Sequence, residues 1–318
     1  MTGHGSTTAN ATAPKDVHGH GTPAELTAFY SPSFPRWVNH SMYWLSLGTM
    51  YFPLIGVIVG AFGVFWFSLA YYLFPGSTII PAVIYSMATI RFTGAFHEDG
   101  LADMCDGFEH FEIMRDSANG TFAGLGLILF QLTKLGGVAY LIDTIELVPV
   151  VSTTLAHPNG PQLLAHVYKL AHLSGILISA HVLARWSCTY LLWRYKYVEN
   201  ASAAGKEFLL TVTTTRMIMA TISTIVLVAA ALFAVPSSQD YFVKQVAAWI
   251  ISIYITVGMG RYVNRVIGGV IGDCLGAINQ IVECSVYLAF GINWIRVLGD
   301  VADLYLMLKA FVDTFVKA

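Results

Sequence analysis

Three aspartates in a short acidic segment have the spacing of a metal or phosphate site. The segment RFTGAFHEDGLADMCDGF covers residues 91–108. On a helix, its Asp99, Asp103 and Asp106 lie at positions i, i+4 and i+7, within about 60° of arc. Carboxylates about 6 Å apart repel one another by roughly 3 kcal/mol per pair at an effective dielectric near 20. Oxygen ligands favour hard divalent ions, so this face predicts a site for Mg²⁺, with Mn²⁺ as an alternative.

The same segment is open to a simpler interpretation, a solvated acidic loop whose charge is neutralised by Arg91 and Arg115. On a helical projection Glu98 points away from the face of the three aspartates. Gly100 and Gly107 each lower helix stability by about 1 kcal/mol relative to alanine, which suits a place where backbone or substrate comes close. The position beside long apolar runs favours the metal site over the loop.

A second polar segment, RVIGGVIGDCLGAINQIVE at 265–283, interrupts an apolar run. Its glycines at 268, 272 and 276 stand four residues apart, a spacing typical of closely packed membrane helices. Asp273 and Glu283 are harder to explain by packing, because a carboxylate at the bilayer centre costs about 2.5–3.5 kcal/mol on insertion scales. The segment predicts a backbone-lined hollow that ends in a functional acid.

Two basic residues lie inside apolar runs and need an anionic partner. They are Lys134, in LFQLTKLGG, and Arg185, in SAHVLARWSCTYLL. A structural ion pair and a contact to substrate are equally open for each. The scattered histidines at 157, 166, 172 and 181 are assigned ordinary polar roles.

The composition indicates that the elements carrying these residues lie in a bilayer. Of 318 residues, 56% are hydrophobic and only 11% charged, and the mean hydropathy is +0.63. Soluble domains carry about 25% charged residues. The net charge of −2 gives no indication of nucleic-acid binding. The four cysteines form no CxxC pair, which favours free thiols over a disulfide or zinc framework.

Continuous apolar runs without period-2 alternation predict an all-α, polytopic membrane bundle of about seven to eight helices. We predict spans near residues 48–74, 78–96, 121–142, 170–193, 208–235, 245–260 and 275–295. The run 301–316 is predicted either to span or to lie on the surface as an amphipathic helix. Residues 1–25 are polar and predict a disordered leader, followed by a single integral-membrane catalytic domain over 26–318.

Basic residues predict the orientation of these spans. Loops 97–120, 194–207 and 261–274 and their flanking helix ends are rich in arginine and lysine, whereas the opposite loops carry only Lys169 and Lys244 near their ends. By the positive-inside rule the basic loops, and with them both acidic segments, face the cytoplasm.

Several stretches resemble the cobalamin synthase family, the adenosylcobinamide-GDP ribazoletransferases of late vitamin B12 biosynthesis. They are HEDGLADMCDGF, EIMRDSANGTFAGLGLILFQLTK, ARW and GGVIGDCLGAINQIVE, together with YFPLIGVIVG at 51–60, and the resemblance covers about residues 26–296 in the family's order. Two departures stand out. Glu98 occupies a position that is usually apolar in the family. WRYKYVENASAAGKE replaces a turn like Pro-Tyr-Ala-Arg, which leaves open whether Arg194, Lys196 or Lys206 contacts a phosphate.

The resemblance implies a multi-pass enzyme of a prokaryotic inner membrane whose active site faces the cytoplasm. Its small-molecule substrates would be adenosylcobinamide-GDP and α-ribazole or its 5′-phosphate. A ribazole hydroxyl would attack the pyrophosphate, with release of GMP and with help from Mg²⁺ at Asp99, Asp103 and Asp106. The general base would be His97 or Asp106. The full catalytic set is His97, Asp99, Asp103, Asp106 and Asp273, and the substrate-binding set is Arg115, Asp116, Ser117, Lys134, Arg185, Gly268, Gly269, Gly272 and Glu283.

Two other classes of protein share some of these features. A CDP-alcohol phosphotransferase also uses aspartate-rich chemistry, but its usual D-G-x2-A-R pattern is not matched, because Leu-Ala-Asp follows Asp99-Gly100. A secondary transporter with a helix broken near Gly268–Gly276 is the other alternative. A transporter would not need a cluster of carboxylates ready for a metal at the membrane boundary.

Overall fold

A computed structural model describes residues 47–107, 120–145, 160–198, 212–233 and 239–316. Over these residues the chain forms a bundle of helices. After a short 3-10 turn at Thr49–Tyr51, the helices are α1 (Phe52–Leu73), α2 (Ile79–Thr93), α3 (Phe96–Gly107), α4 (Thr121–Thr144), α5 (Gly160–Arg194), α6 (Thr214–Phe233), α7 (Gln239–Ile267), α8 (Gly272–Gly291) and α9 (Trp294–Val316).

Six of these helices, α1 and α4 to α8, are long and apolar enough to cross a membrane, and α2 and α3 together could form a seventh span. This confirms the predicted all-α, polytopic membrane bundle, with six spans, or seven if the bent pair counts as one, against the seven to eight predicted. In the described part of the chain α9 does not qualify as a span. Large apolar side chains point outward from the bundle, for example Tyr72 at 81% exposure and Ile250 at 61%. Their outward position is the one expected for side chains that contact lipid.

The centre of the bundle is α8. In its most apolar window 78% of the residues are buried, against 56% for α5 and 22–39% for the other spans. The helix packs against α3, α4, α5 and α7. The second polar segment continues into α8 from Gly272 to Glu283, so the central position of this helix carries that part of the segment into the interior of the protein.

Glycines allow α1 to lie directly on α5. A Cβ added at Gly56 would stand 2.7 Å from the carbonyl oxygen of His181, and one added at Gly60 would stand 2.9 Å from the Cα of Ile178. Both distances are shorter than any real Cβ contact. The spacing of these glycines, four residues apart, is the small-xxx-small pattern that lets membrane helices approach through their backbones. The close approach holds α5, which carries His181 and Arg185, at a fixed distance from α1.

The helix α2 ends in a sharp turn that sends α3 off at 91°. Gly94 caps α2 in the left-handed conformation, with φ 72°, and Ala95 follows with φ 61°. Glycine adopts this conformation at no steric cost, whereas alanine does so only with some strain. The predicted span 78–96 therefore ends at Thr93, and the acidic segment forms a separate short helix.

All the polar segments meet at one end of the bundle, which we call the site end. It contains the end of α2, the helix α3, the start of α4, the end of α5 and the start of α8, joined by contacts between Gly100 and Asp273, between Gly120 and Asp106, and between Tyr197 and Val270. The predicted leader, residues 1–25, lies outside the described residues. All four cysteines are free thiols, as predicted.

Candidate active site

The two acidic segments come together where α3 crosses the start of α8. A Cβ added at Gly100 would stand 2.8 Å from the carbonyl oxygen of Asp273, and one added at Gly276 would stand 3.2 Å from the Cα of His97. Each helix thus uses a glycine to admit the backbone of the other. The sequence suggested that Gly100 allows a close approach of backbone or substrate. The structure shows an approach of backbone, and the partner is Asp273.

The glycines of the second segment do not form one packing stripe. Gly268 lies before α8 with φ 77° and open space around it, so its role is conformational. A Cβ at Gly269 would collide with the carbonyl oxygen of Lys196 and the side chain of Val198, whereas one at Gly272 would make only an ordinary contact, 3.6 Å from the Tyr197 hydroxyl. The packing interpretation of the spacing at 268, 272 and 276 therefore does not hold for all three, because the chain is not helical between Ile267 and Gly272. Of the three, only Gly276 packs closely on another helix.

The three aspartates of α3 differ in their exposure. Asp99 is exposed, Asp103 is half-buried and Asp106 is buried, 9% exposed. Asp103 lies close enough to Asp99 and Asp106 to experience the charge of both. No hydrogen bond or ion pair joins the Asp99 or Asp103 carboxylate to another described residue, so their oxygens are open to an external cation.

Asp106 fixes the start of α4. One of its carboxylate oxygens accepts the backbone N–H of Gly120 at 2.6 Å, and the other accepts that of Ala123 at 2.7 Å. A carboxylate at this place satisfies orphan N–H groups and interacts favourably with the positive end of the helix dipole. A Cβ at Gly120 would stand 2.5 Å from the Asp106 carboxylate, so glycine is required there. This anchoring role was not foreseen from the sequence, which placed Asp106 among the metal ligands.

The arrangement fits a divalent ion that arrives with a phosphate ligand. Within the described residues, no three Asp, Glu, His or Cys side chains converge tightly enough to hold a metal by themselves. Mg²⁺ rarely uses a cage made only of protein, and binds through one or two carboxylates together with substrate phosphates and waters. Asp99 and Asp103, one helical turn apart with uncommitted oxygens, are a donor set of that kind.

A buried polar network lies deeper in the bundle, centred on Glu283 of α8. Lys134 of α4 approaches the Glu283 Oε1 atom to 2.6 Å, and both side chains are almost fully buried, at 3% and 1% exposure. Tyr287 donates a hydrogen bond to the same oxygen at 2.9 Å. His181 Nδ1 stands 3.4 Å from the other carboxylate oxygen. The ion-pair alternative for Lys134 is therefore present, and the predicted substrate contacts of Lys134 and Glu283 stay predictions.

His181 connects this network to α2 and to Arg185. Its Nε2 atom is 2.9 Å from the Tyr85 hydroxyl, which in turn lies 2.8 Å from the Tyr287 hydroxyl. The Arg185 guanidinium stands 3.3 Å from His181 Nδ1 and donates to the His181 carbonyl oxygen at 3.3 Å. No sequence pattern pointed to Tyr85 or Tyr287, and His181 was interpreted from sequence as one of several ordinary polar histidines. Three helices are tied together by these contacts.

Glu98 also belongs to this interior. It is 7% exposed, its Oε2 atom has no hydrogen-bond partner among the described residues, and it lies within electrostatic range of Lys134, Glu283 and Arg185. Lys134 and Arg185 carry two positive charges, and Glu98 and Glu283 carry two negative charges when ionised, so the cluster can be neutral. Buried charges are tolerated when they are balanced in this way. Sequence reasoning recognised that Glu98 leaves the aspartate face but did not foresee its burial.

A basic cleft opens at the site end, on the side formed by α5 and α7. It has a volume of about 520 Å³ and is lined by Tyr190, Arg194, Tyr195, Lys196, Arg261, Asn264, Arg265 and Gly268. Two backbone hydrogen bonds fix its walls, from Val198 N–H to the Val270 carbonyl at 2.9 Å and from Val270 N–H to the Lys196 carbonyl at 2.8 Å. The sequence had left open which of Arg194, Lys196 and Lys206 could meet a phosphate. The structure places Arg194 and Lys196 in this cleft, and Lys206 lies outside the described residues.

The remaining predicted site residues are distributed as follows. His97 is buried, 2% exposed, against α8, and Asp273 is half-buried in the first turn of α8. Arg115, Asp116 and Ser117 lie outside the described residues.

Fold and site together define a polytopic, all-α membrane protein with an acidic site and a basic cleft at one end of the bundle. The family model for cobalamin-5-phosphate synthase matches residues 26–291. The chain belongs to the cobalamin-5-phosphate synthase family, as the resemblance of its acidic segments indicated.

Relatives with established names agree with this membership, and each is named adenosylcobinamide-GDP ribazoletransferase. The Polaromonas sp. (strain JS666) protein is 28% identical over 81% of this chain and 89% of its own length. The Shewanella amazonensis protein is 29% identical, with 85% and 94% covered. The Vibrio cholerae protein is 31% identical, with 75% and 80% covered. No solved structure matches the chain.

Proposed function

We propose that this protein is a Mg²⁺-dependent adenosylcobinamide-GDP ribazoletransferase. It would join adenosylcobinamide-GDP to α-ribazole or α-ribazole 5′-phosphate and release GMP. Membership of the family and the names of the relatives support the reaction. The observation that carries the proposal is the junction of Gly100 with Asp273, which brings both acidic segments to one end of a membrane bundle.

Asp99 and Asp103 would hold the divalent ion. They are the carboxylates of α3 with uncommitted oxygens, and they lie on the accessible side of the helix. When bound, the ion would neutralise the pyrophosphate and stabilise the leaving GMP. Asp106 would act indirectly, because its hydrogen bonds to Gly120 and Ala123 fix the start of α4 relative to α3.

Asp273 is our candidate for the base that accepts the proton of the attacking ribazole hydroxyl. Of the two bases predicted from sequence, His97 is buried beneath Gly276 and Asp106 has both oxygens bonded to backbone. Asp273 lies beside α3, half-buried, at the start of a helix. A carboxylate there can take up the proton as the oxygen attacks phosphorus, a contribution of about 10²- to 10⁴-fold in rate for a well-placed base.

A single assay tests the proposed reaction. Purified protein in detergent is incubated with adenosylcobinamide-GDP, α-ribazole 5′-phosphate and Mg²⁺, and the amounts of GMP and of the joined product are measured over time. We expect the two to form in equal amounts. Formation of a phospholipid from a CDP-activated donor instead would support the phosphotransferase alternative. Binding of both substrates without any GMP release would contradict a catalytic function and favour a transporter.

We propose that the site end faces the cytoplasm of a prokaryotic inner membrane. Among the described residues, the site end carries six basic side chains, Arg91, Arg194, Lys196, Arg216, Arg261 and Arg265, whereas Lys169, Lys244 and Arg296 lie toward the opposite end. This asymmetry follows the positive-inside rule.

Labelling of single cysteines checks the orientation. In a variant whose four native cysteines are replaced by serine or alanine, Lys196→Cys should react with an impermeant maleimide only in inside-out vesicles. Lys244→Cys should react only in right-side-out vesicles. Labelling of Lys196→Cys from the periplasmic side would reverse the proposed orientation.

A further inference from the structure

The basic cleft has the charge and the size of a binding site for a small anion. Four cationic side chains, Arg194, Lys196, Arg261 and Arg265, line it together with two tyrosines, and all four cations are exposed. Among the described residues no aspartate or glutamate lines the cleft. Its volume of about 520 Å³ lies within the range of about 300–1,000 Å³ that small-molecule sites occupy. Like charges gathered in a concave surface favour an anion of high charge.

The cleft is held in shape by the backbone around it. Arg261 and Arg265 stand one turn apart near the end of α7, and Arg194 and Lys196 lie at the end of α5. The two ends are joined by the Tyr197–Val270 bridge. A side chain at position 269 would collide with the Lys196 carbonyl oxygen, so glycine there is needed for the bridge. The Arg194 guanidinium lies 5.4 Å from the centre of the Tyr195 ring, which restrains its direction. A cleft that is formed in advance binds its ligand without first having to be ordered.

The cleft and the carboxylates are close enough to serve one reaction. Gly268 lines the cleft and Asp273 touches α3, so the segment between them joins the two sites. Only four residues lie between the two positions, and even a fully extended chain keeps their Cα atoms within about 18 Å. The cleft and the place where α8 meets α3 therefore lie next to each other along this short segment.

We propose that the basic cleft binds the 5′-phosphate of the acceptor, α-ribazole 5′-phosphate. This proposal rests on the proposed function. The diphosphate of the donor would be neutralised by the divalent ion at Asp99 and Asp103, whereas the phosphomonoester of the acceptor carries about 1.5–2 negative charges at pH 7 and has no such counter-ion. Asp99, Asp103 and Asp273 would repel it. A cleft lined by arginine and lysine supplies the missing charge, and arginine can bind phosphate oxygens in pairs.

The test compares acceptors with and without the phosphate. Binding of α-ribazole 5′-phosphate and of α-ribazole to the full-length protein is measured by calorimetry in neutral detergent, with no donor and no divalent ion. We expect the wild-type protein to bind the phosphorylated acceptor at least about 30-fold more tightly. In the double variant Arg261→Gln/Arg265→Gln this preference should fall to less than about 3-fold, with the affinity for α-ribazole unchanged. Lys196→Gln, a milder change in the same cleft, should lower the preference about 3- to 10-fold.

The control is Arg216→Gln, which removes an arginine from the site end but outside the lining of the cleft. It should keep the wild-type preference. Equal affinities of the two acceptors for the wild-type protein, or a preference that survives in both cleft variants, would overturn the proposal. Since binding is measured without turnover, a protein that prefers the phosphorylated acceptor but releases no GMP would refute the proposed function and leave this inference standing.

A phospholipid headgroup also carries a phosphate group. A second experiment therefore distinguishes the acceptor from an anionic lipid as the ligand of the cleft. The binding measurement is repeated in nanodiscs of phosphatidylcholine, with and without phosphatidylglycerol. The acceptor should bind with the same affinity in both. A loss of 10-fold or more on adding phosphatidylglycerol, absent from the double variant, would assign the cleft to anionic lipid and reject the acceptor.

Discussion

Asp103→Asn should abolish the transfer reaction while the protein inserts and purifies normally. The amide keeps the shape of the side chain, but it removes the charge of the half-buried carboxylate at the centre of the α3 face, between Asp99 and Asp106. If Asp103 holds a divalent ion, the loss in kcat should be at least about 10³-fold, which corresponds to about 4 kcal/mol of barrier. Stability should hold or rise, because the change also removes repulsion between neighbouring carboxylates.

The measurement is GMP release under saturating substrates, beside the thermal unfolding of the same preparations. Asp303→Asn, the same substitution at an exposed position of α9, serves as the matched control and should keep wild-type activity. Titration with Mg²⁺ provides a second readout, since a weakened metal site should raise the Mg²⁺ concentration needed for half-maximal rate. If the wild-type protein stays fully active in excess chelator, with no divalent ion present, Asp103 and Asp99 do not act by binding a metal.

Asp273→Asn should lower activity by about 10²-fold or more, roughly 3 kcal/mol of barrier, in a folded protein. The amide cannot accept the proton of the attacking hydroxyl, although it is nearly isosteric. Loss of the carboxylate from the first turn of α8 removes a favourable interaction with the helix dipole of only about 0.3–1 kcal/mol, so the melting temperature should change little.

Further substitutions at position 273 distinguish a base from a residue that only positions. A base needs a group that can accept a proton, so Asp273→Glu should recover part of the kcat that Asp273→Asn loses. Asp273→Ser, which keeps a polar group but no proton acceptor of comparable basicity, should stay as slow as Asp273→Asn. If the Asp273→Asn variant is folded and has near-normal turnover, Asp273 is not part of the active site, and the catalytic residues are those of α3.

Much of the architecture could be read from the sequence, because a bilayer constrains it strongly. A span must be continuous, apolar and about 20 residues long, so each of the long hydrophobic runs predicts one helix. The bounds were less accurate than the number, because α5 begins ten residues before its predicted run and α7 extends six residues before and seven residues after its own. The shared face of Asp99 and Asp103 could also be predicted from the sequence, because a helix places residues four apart on one face whatever surrounds it. The glycine at position 94 was too weak a local signal to show that α2 would stop and that α3 would turn by 91°.

The partners of the polar residues, in contrast, were decided by tertiary structure. Lys134 and Glu283 are far apart in sequence and meet only because α4 packs on α8, and Asp106 caps a helix that begins 15 residues later. Such pairings depend on how helices pack, and many arrangements of the same spans would satisfy hydropathy equally well.

The sequence by itself determined the membrane class, the family and the two acidic segments, because these depend on composition and on the order of residues along the chain. Only the tertiary structure decided that Gly100 meets Asp273, that Glu98 and His181 are buried with Arg185, and that Arg194 and Lys196 share a cleft with Arg261 and Arg265. The physical reason is that backbone approach and charge balance are properties of helices in contact. A hydrophobic pattern specifies which face of a helix is buried, but it does not specify which helix covers that face.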